Sequence, residues 1–383
     1  MLRFLTAGES HGPGLVTIVE GLPAGLEVTV EGLSAELARR RMGHGRSRRM
    51  EVEQDELEIL GGVRFGRTLG SPVAVVVRNT EWPRWAAEMA VGPGEAERPL
   101  TTPRPGHADL PGMQKYATTD ARDILERASA RETAARTVAG HLAKRLLASA
   151  GITVVSHVIS IGDVTVDPAV RPGPSDLERV DASPVRTLDE AAATRMVQAI
   201  DRAREERDTL GGVAEVIAYG VPAGVGSHVH WDRRLDGLLA GAMMSIPAIK
   251  AVAAGDGFVT SSRPGSGAHD EIVLQDGALA RSTDRAGGVE GGMSTGQPIR
   301  VQVAMKPLST LMRPSRSVDV ATGEPAEAFR ERSDVCAVPA AAVVGEQMMA
   351  FVIAGELARM FGGDTLDVFA AAVEAHRRRV AGR

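Results

Sequence analysis

The chain has 383 residues, 43% of them apolar and only 3% aromatic, with a formal net charge of −5 and one cysteine. A net-negative chain poor in aromatic residues lacks the overall field and the stacking platforms of a nucleic-acid binder, and the lone Cys336 excludes an internal disulfide framework or a cysteine-rich metal site. No apolar run approaches the roughly 20 residues of a spanning helix, and MLRFLTAGESHG lacks the pattern of a signal peptide, so a cytoplasmic protein is expected.

The first motif, GESHG at 8–12, matches the G-x-S-x-G turn that presents a hydrolase's nucleophilic serine. Only seven residues precede it, too few for the strands and the loop that such an elbow needs, and GMSTG at 292–296 matches the same pattern. Ser10 and His11 are therefore set aside for chemistry other than a hydrolase nucleophile. SAELARRRMG (34–43) reads as a helix closed by Gly43 in the left-handed C-cap conformation. It runs into RRRMGHGRSRRM, where Arg39, Arg40, Arg41, Arg46, Arg48 and Arg49 flank a Gly-His-Gly turn. Such a loop is either a solvated charge run or a basic flap that binds phosphate or carboxylate through the planar arginine fork.

Residues 61–77 (GGVRFGRTLGSPVAVVV) and 287–303 (GGVEGGMSTGQPIRVQV) share G-G-V-x-x-G-x-x-x-G-x-P-[VI]-x-V-x-V without a gap. GLPAG at 21–25 and GVPAG at 220–224 precede them in the same order, each after a β-like run. Two ordered echoes point to a duplicated unit within one domain spanning 1–383, with related halves of about 1–150 and 205–383. The alternation in PVAVVV and PIRVQV suits antiparallel strands, and no regular strand–helix alternation suggests a doubly wound parallel sheet. The expected class is α+β.

The Pro- and Gly-rich stretch 92–112 reads as a loop carrying RPGHAD, which sets Arg104 and His107 on a rigid turn. In LERASARETAAR (125–136), Ser129 and Glu132 have capping-box spacing before helix formers that run through Leu147; either Ser129 is an ordinary cap, or a helix starting there offers an anion site with Arg127 just before it and Arg131 inside it. Segment 171–184 reads as a loop, and Thr187 with Glu190 predicts a capping box at the start of the helix that follows. His228 and His230 alternate along one predicted strand face but lack a third ligand, so no metal site is expected. ERSDVCAVPAA (331–341) puts Arg332 and Asp334 before an apolar helix, Ala340–Phe361, expected to be buried. There is no P-loop, HExxH or G-x-G-x-x-G. What remains, histidines, serines, one aspartate and many arginines on separate loops, suits a small polyanionic substrate and proton transfer.

In order, AGESHG, RRRMGHGR, RPGHAD, ERASARET, GDGF, GGMSTGQP, MKPLST and ERSDVCAVPA, from Ala7 to Ala340, make the chain resemble the chorismate synthase family, especially its actinobacterial-type bacterial members. The resemblance implies a helical core between antiparallel sheets with internal pseudo-two-fold symmetry, a homotetramer, and anti-1,4-elimination of phosphate from 5-enolpyruvylshikimate 3-phosphate to give chorismate. It implies reduced FMN as cofactor, with NADPH entering only as a reductant. By similarity His11, His107, Asp334, Ser10 and Ser129 serve catalysis: His11 at the leaving phosphate, His107 beside the flavin, and Asp334 with Ser129 at the C6 proton. Arg40, Arg46, Arg104, Arg131 and Arg332 cage the substrate, although the positions of Arg40 and Arg46 are also linked to NADPH. The flavin falls to Arg127, Ala128, Ser129, Pro247, Ala248, Gly291, Lys306, Pro307, Leu308, Ser309, Thr310 and Arg332. Three places depart from the family pattern: Pro247 stands where a polar residue is usual and has no N–H to donate, Ala253 and Ala254 replace a usual Glu, and His44 replaces a common Tyr.

Overall fold

The computed structural model describes residues 1–47, 56–275, 277–331 and 333–381. Two antiparallel sheets flank a pair of long helices. Strands β1 (Arg3–Ala7), β2 (Gly14–Glu20), β3 (Glu56–Gly61) and β4 (Val73–Arg78) form the first sheet in the order β1-β2-β4-β3. In β2 the even-numbered side of Val16, Ile18 and Glu20 faces outward while Leu15, Thr17 and Val19 are buried, the period-two pattern of a sheet with one face on a core. The second sheet contains β5 (Thr153–Ile161), β6 (Val164–Thr165), β7 (Gly212–Tyr219), β8 (Ile249–Ala254) and β9 (Ile299–Met305), in the order β8-β9-β7-β5-β6. Here the outer face is covered as well, and Glu215 with Arg300 form an ion pair buried at 2.9 Å.

The main helices are α1 (Val30–Arg41), α2 (Asp109–Tyr116), α3 (Arg122–Ala128), α4 (Thr133–Ser149), α5 (Glu190–Glu205), α6 (Leu235–Met244), α7 (Val338–Phe361) and α8 (Leu366–Ala381). Helix α4 packs under the first sheet, α7 under the second, and the two pack on each other, which makes the expected α+β sandwich. A Cβ on Gly140 of α4 would stand 2.1 Å from the Cβ of Gln347 in α7, so glycine is what lets these backbones come so close. By length and composition α7 is apolar enough to cross a membrane, a property the run-by-run reading of the sequence missed, but most of it is buried between α4 and the second sheet.

The two sheets share more than strand order. Thr68 donates its hydroxyl to the Pro23 carbonyl at 2.6 Å and accepts from Leu26 N at 2.9 Å. Ser294 does the same with Pro222 at 2.6 Å and Val225 at 2.8 Å. The second G-x-S-x-G serine is thus a clamp between a turn and a hairpin. Gly62 (φ +82) and Gly288 (φ +73) each pass so close to a proline carbonyl, Pro72 or Pro298, that a Cβ would lie 2.3 Å from its oxygen. The shared G-G-V…P pattern therefore has one physical reason in both places.

Helix boundaries differ from the sequence expectation in several places. Segment 171–184, expected as a loop, carries a short helix at Leu177–Ala182, α2 begins at Asp109 within the 92–112 stretch, and α4 begins at Thr133 after a 3-10 turn rather than at Ser129. Helix α1 ends at Arg41, and the chain is already extended at Met42. Gly43 and Gly45 serve close packing instead, since a Cβ on either would meet Pro339 or Ile200 at 2.9 Å. Helix α5 is capped by Asp189, whose side chain accepts from Ala192 N at 2.9 Å, while Thr187 accepts from Asp189 N one step upstream. The carboxylate reaches the free N–H groups that the Thr187–Glu190 spacing had been expected to serve.

Candidate active site

The N-termini of α4 and α7 both open on one cavity of about 480 Å³. Thr133 and the short 3-10 turn Ala130–Glu132 bring the first to it, and Ala337, Ala340 and Ala341 the second. Each long helix carries partial positive charge at this end, so the cavity favours anions before any side chain is counted. Arg40, Arg46, Arg104, Arg131 and Lys306 add five cations to the lining, and Arg40, Arg104 and Arg131 are buried. Burial lowers the pKa of Lys306, with Lys250 adding repulsion. Ile246, Pro247, Ala248, Met305, Leu308 and Val344 give the cavity an apolar wall.

Ser10 and His11 follow β1, and Ser129 precedes α4. Ser129 Oγ donates to Ser10 Oγ at 3.2 Å and accepts from Arg131 N at 3.3 Å. The expected partner in a capping box, Glu132, instead accepts from Thr6 and Arg136. The Nδ1 of His11 lies 2.8 Å and 3.0 Å from the two oxygens of Glu126, one of which also accepts from His11 N at 2.8 Å. The imidazole stacks on Trp85 with centroids 3.9 Å apart. Burial works to raise the pKa of Glu126, but His11 and Arg122 outweigh it and hold the carboxyl below its ordinary value.

In RPGHAD the third functional side chain is Asp109, which is fully buried at the start of α2. It accepts from Arg104 N at 3.1 Å and Nε at 2.8 Å, and from His107 Nδ1. Burial alone would raise its pKa, yet these bonds bring it down to about 2. Arg104 is further fixed by Thr310 Oγ1 at 2.8 Å and by the ring of Phe329 at 4.5 Å.

Asp334 holds the arginine loop. Its Oδ2 pairs with Arg46 at 2.7 Å, its Oδ1 accepts from Ser47 N at 2.7 Å, and Val335 N donates to Gly45 O at 2.8 Å. His44 ties the same loop to α5 through Asp201 at 2.7 Å.

Of the residues singled out in the sequence, Ser10, His11, Arg40, Arg46, Arg104, His107, Ala128, Ser129, Arg131, Pro247, Ala248, Lys306, Leu308, Ser309, Thr310 and Asp334 line this cavity. Arg39 of the basic run is instead held in ion pairs with Glu346 and Asp181, each at 2.7 Å, and three of the residues assigned by resemblance also lie elsewhere. Arg127 is exposed and donates to the carbonyls of Thr6 and Gly8, Gly291 sits in the turn between Glu290 and Met293, and Pro307 is exposed outside the lining. Arg332, Arg48 and Arg49 lie outside the described residues. His228 and His230 fall in an exposed bend rather than a strand, His230 pairing with Asp232. Among the described residues no group of three or more metal-ligating side chains occurs.

Glu126, Trp85 and Asp109 were not picked out from sequence. A signal existed for the first: Glu126-Arg127-Ala128-Ser129 and Glu331-Arg332-Ser333-Asp334 are a third pair of echoes, each just before one of the central helices. Ser129 and Asp334 hold the same place in that pattern.

The chorismate synthase family model matches residues 2–358. Chorismate synthase from Salinispora tropica is 59% identical over 375 residues, covering 96% of both chains, and that from Frankia casuarinae is 60% identical over 380 residues with the same coverage. A crystal structure of a chorismate synthase superposes with a TM-score of 0.80 at 40% identity, covering 100% of this chain and 99% of the other.

Proposed function

The chain belongs to the chorismate synthase family and has the lyase activity that forms chorismate, and on that premise we propose that the cavity at the two helix N-termini binds 5-enolpyruvylshikimate 3-phosphate together with reduced FMN. The convergence of five cations and two helix dipoles on one partly apolar cavity carries this reading. The substrate brings two carboxylates and a phosphate, a charge that only such a cluster can desolvate without large loss. The residues also fit the cofactor. The apolar wall of Ile246 to Ala248 and Leu308 suits a flat ring, while Lys306, Ser309 and Thr310 suit its phosphate and polar edge. The volume lies within the roughly 300–1,000 Å³ of small-molecule sites. Pro247 contributes apolar surface but no donor.

When bound, reduced FMN supplies an electron-rich ring that supports loss of phosphate and an acceptor for the C6 proton. His11 gives a proton to the departing phosphate oxygen while the arginines hold the anion. His107, with Nδ1 held by Asp109, hydrogen-bonds the flavin at the RPGHAD turn. Asp334 assists removal of the C6 proton; a substrate anion that takes Arg46 releases the carboxylate for this work. Ser10 and Ser129 form a hydroxyl pair that positions and relays. NADPH enters only as the source of reducing equivalents.

The two halves are read as copies of one unit within a single domain, supported by the shared strand order and the matching Thr68 and Ser294 clamps. Copies of the chain associate as a homotetramer, which would cover Leu5 and Ile18 on the first sheet and Trp231, Phe258 and Leu274 elsewhere. The lone Cys336, its thiol pushed up to about 11 by burial, suits the cytoplasm. The seat of the cofactor is tested by FMN binding to Lys306→Met: affinity falls at least about tenfold if a charge-assisted contact is lost, and an unchanged affinity contradicts the placement.

A further inference from the structure

We propose that Glu126 is the positioning residue that makes His11 a directed acid, a role that rests on the reading of His11 given above. Glu126 grips His11 twice, at the backbone N–H and at Nδ1, with all three contacts at 2.8–3.0 Å. Both residues are buried. Trp85 covers one face of the imidazole, and Arg122 completes the clamp. Its guanidinium pairs with Glu126 at 2.9 Å, approaches Glu331 at 3.8 Å and lies 5.1 Å from the Trp85 ring centroid.

A carboxylate at Nδ1 keeps the proton on that nitrogen in the neutral ring and stabilises the imidazolium, the same logic by which an aspartate orients a catalytic histidine. Because Nδ1 is turned to Glu126, which is not part of the cavity wall, Nε2 is the nitrogen on the cavity side. As the C–O bond to phosphate breaks, the electron pair leaves with the oxygen and the Nε2 proton neutralises it. His11 is left neutral, with Nδ1–H still bonded to Glu126. Burial works against the Glu126 charge, the bonds from His11 oppose that most, and Arg122 at 2.9 Å adds its charge to the same side. The charged groups around His11 are Glu126 and Arg122 behind it, with Glu88 on Arg122 at 3.5 Å, and, in the cavity lining, Glu331, the arginines, Lys306, His107 and Asp334.

The test compares Glu126→Gln, His11→Ala and the double variant at saturating reduced FMN, with thermal unfolding and FMN binding measured on each. The expected result is a kcat about 10- to 100-fold lower in Glu126→Gln, part of the roughly 10²–10⁴ that a general acid contributes. KM stays within about threefold, and the alkaline limb of the pH profile moves to lower pH. In the His11→Ala background the second substitution has no further effect. An impaired His11→Ala beside an unaffected Glu126→Gln, or losses that multiply in the double variant, overturns this proposal alone. A fully active His11→Ala overturns it together with the reading of His11. If glutamine prevents folding, Glu126→Asp keeps the charge that Arg122 needs and lowers kcat by shortened reach; wild-type kcat there also overturns the proposal.

Discussion

Gly140→Ala would separate the two helices whose N-termini make the site. The added methyl would stand 2.1 Å from Gln347 Cβ and 2.5 Å from its Cα, against an ordinary carbon–carbon contact of about 3.5–4.0 Å. The obstacle is backbone and Cβ, which no rotamer change relieves, so α4 and α7 must part by more than about 1 Å. Alanine gains about 1 kcal/mol of helix propensity over glycine, while overpacking of this severity costs about 3 kcal/mol or more. The net loss is about 2 kcal/mol. With an unfolding entropy of about 2.1 cal/mol/K per residue over 383 residues, or about 0.8 kcal/mol/K, the midpoint falls by about 2–3 °C. Turnover should fall further than stability does, because the dipoles and Arg131 move with α4. Calorimetry with parallel chorismate formation reads both. An unchanged or raised midpoint with full activity would refute the claim that this crossing sets the site.

Acid sensitivity should be traceable to His141, whose pKa burial brings down from 6.5 to about 4 despite the pull of Glu36. The folded protein holds it neutral, so this contribution to stability is complete above pH 6.5 and falls by about 3 kcal/mol as pH drops through 4; His141→Gln should flatten that part of the curve in urea titrations. Asp334→Asn should bind FMN and substrate but lose turnover by at least about 100-fold, seen in single-turnover rates. His107→Ala should shift the absorbance spectrum and ionisation of bound reduced FMN, and an unchanged spectrum would count against its place at the ring.

Much of the architecture could be read from the chain because it is written twice. GGV…P recurs where Gly62 and Gly288 pass under proline carbonyls, so backbone sterics preserved the pattern that revealed the repeat. His11, Arg46, Arg104 and His107 were legible for a different reason: they lie on short loops punctuated by Gly or Pro, whereas Arg40 lies in the last turn of α1 and Arg131 in a 3-10 turn. Less legible were the groups that act through another residue. Asp109 and Glu126 look like ordinary helix carboxylates in sequence, and their importance arises from burial against Arg104, His107 and His11. Trp85 belongs to a segment with no motif at all, yet it stacks on His11. The caps were misread for local reasons: Asp189 reaches the α5 N-terminus that Thr187 does not, and Gly43 is needed against Pro339 rather than to close α1.

The most direct test of the account is anaerobic quenched turnover of 5-enolpyruvylshikimate 3-phosphate, with inorganic phosphate and chorismate measured in the same samples. With reduced FMN the two products should appear in equal amounts, and without flavin neither should form. Phosphate released without chorismate, or chorismate formed at full rate without flavin, would contradict the elimination assigned to this cavity.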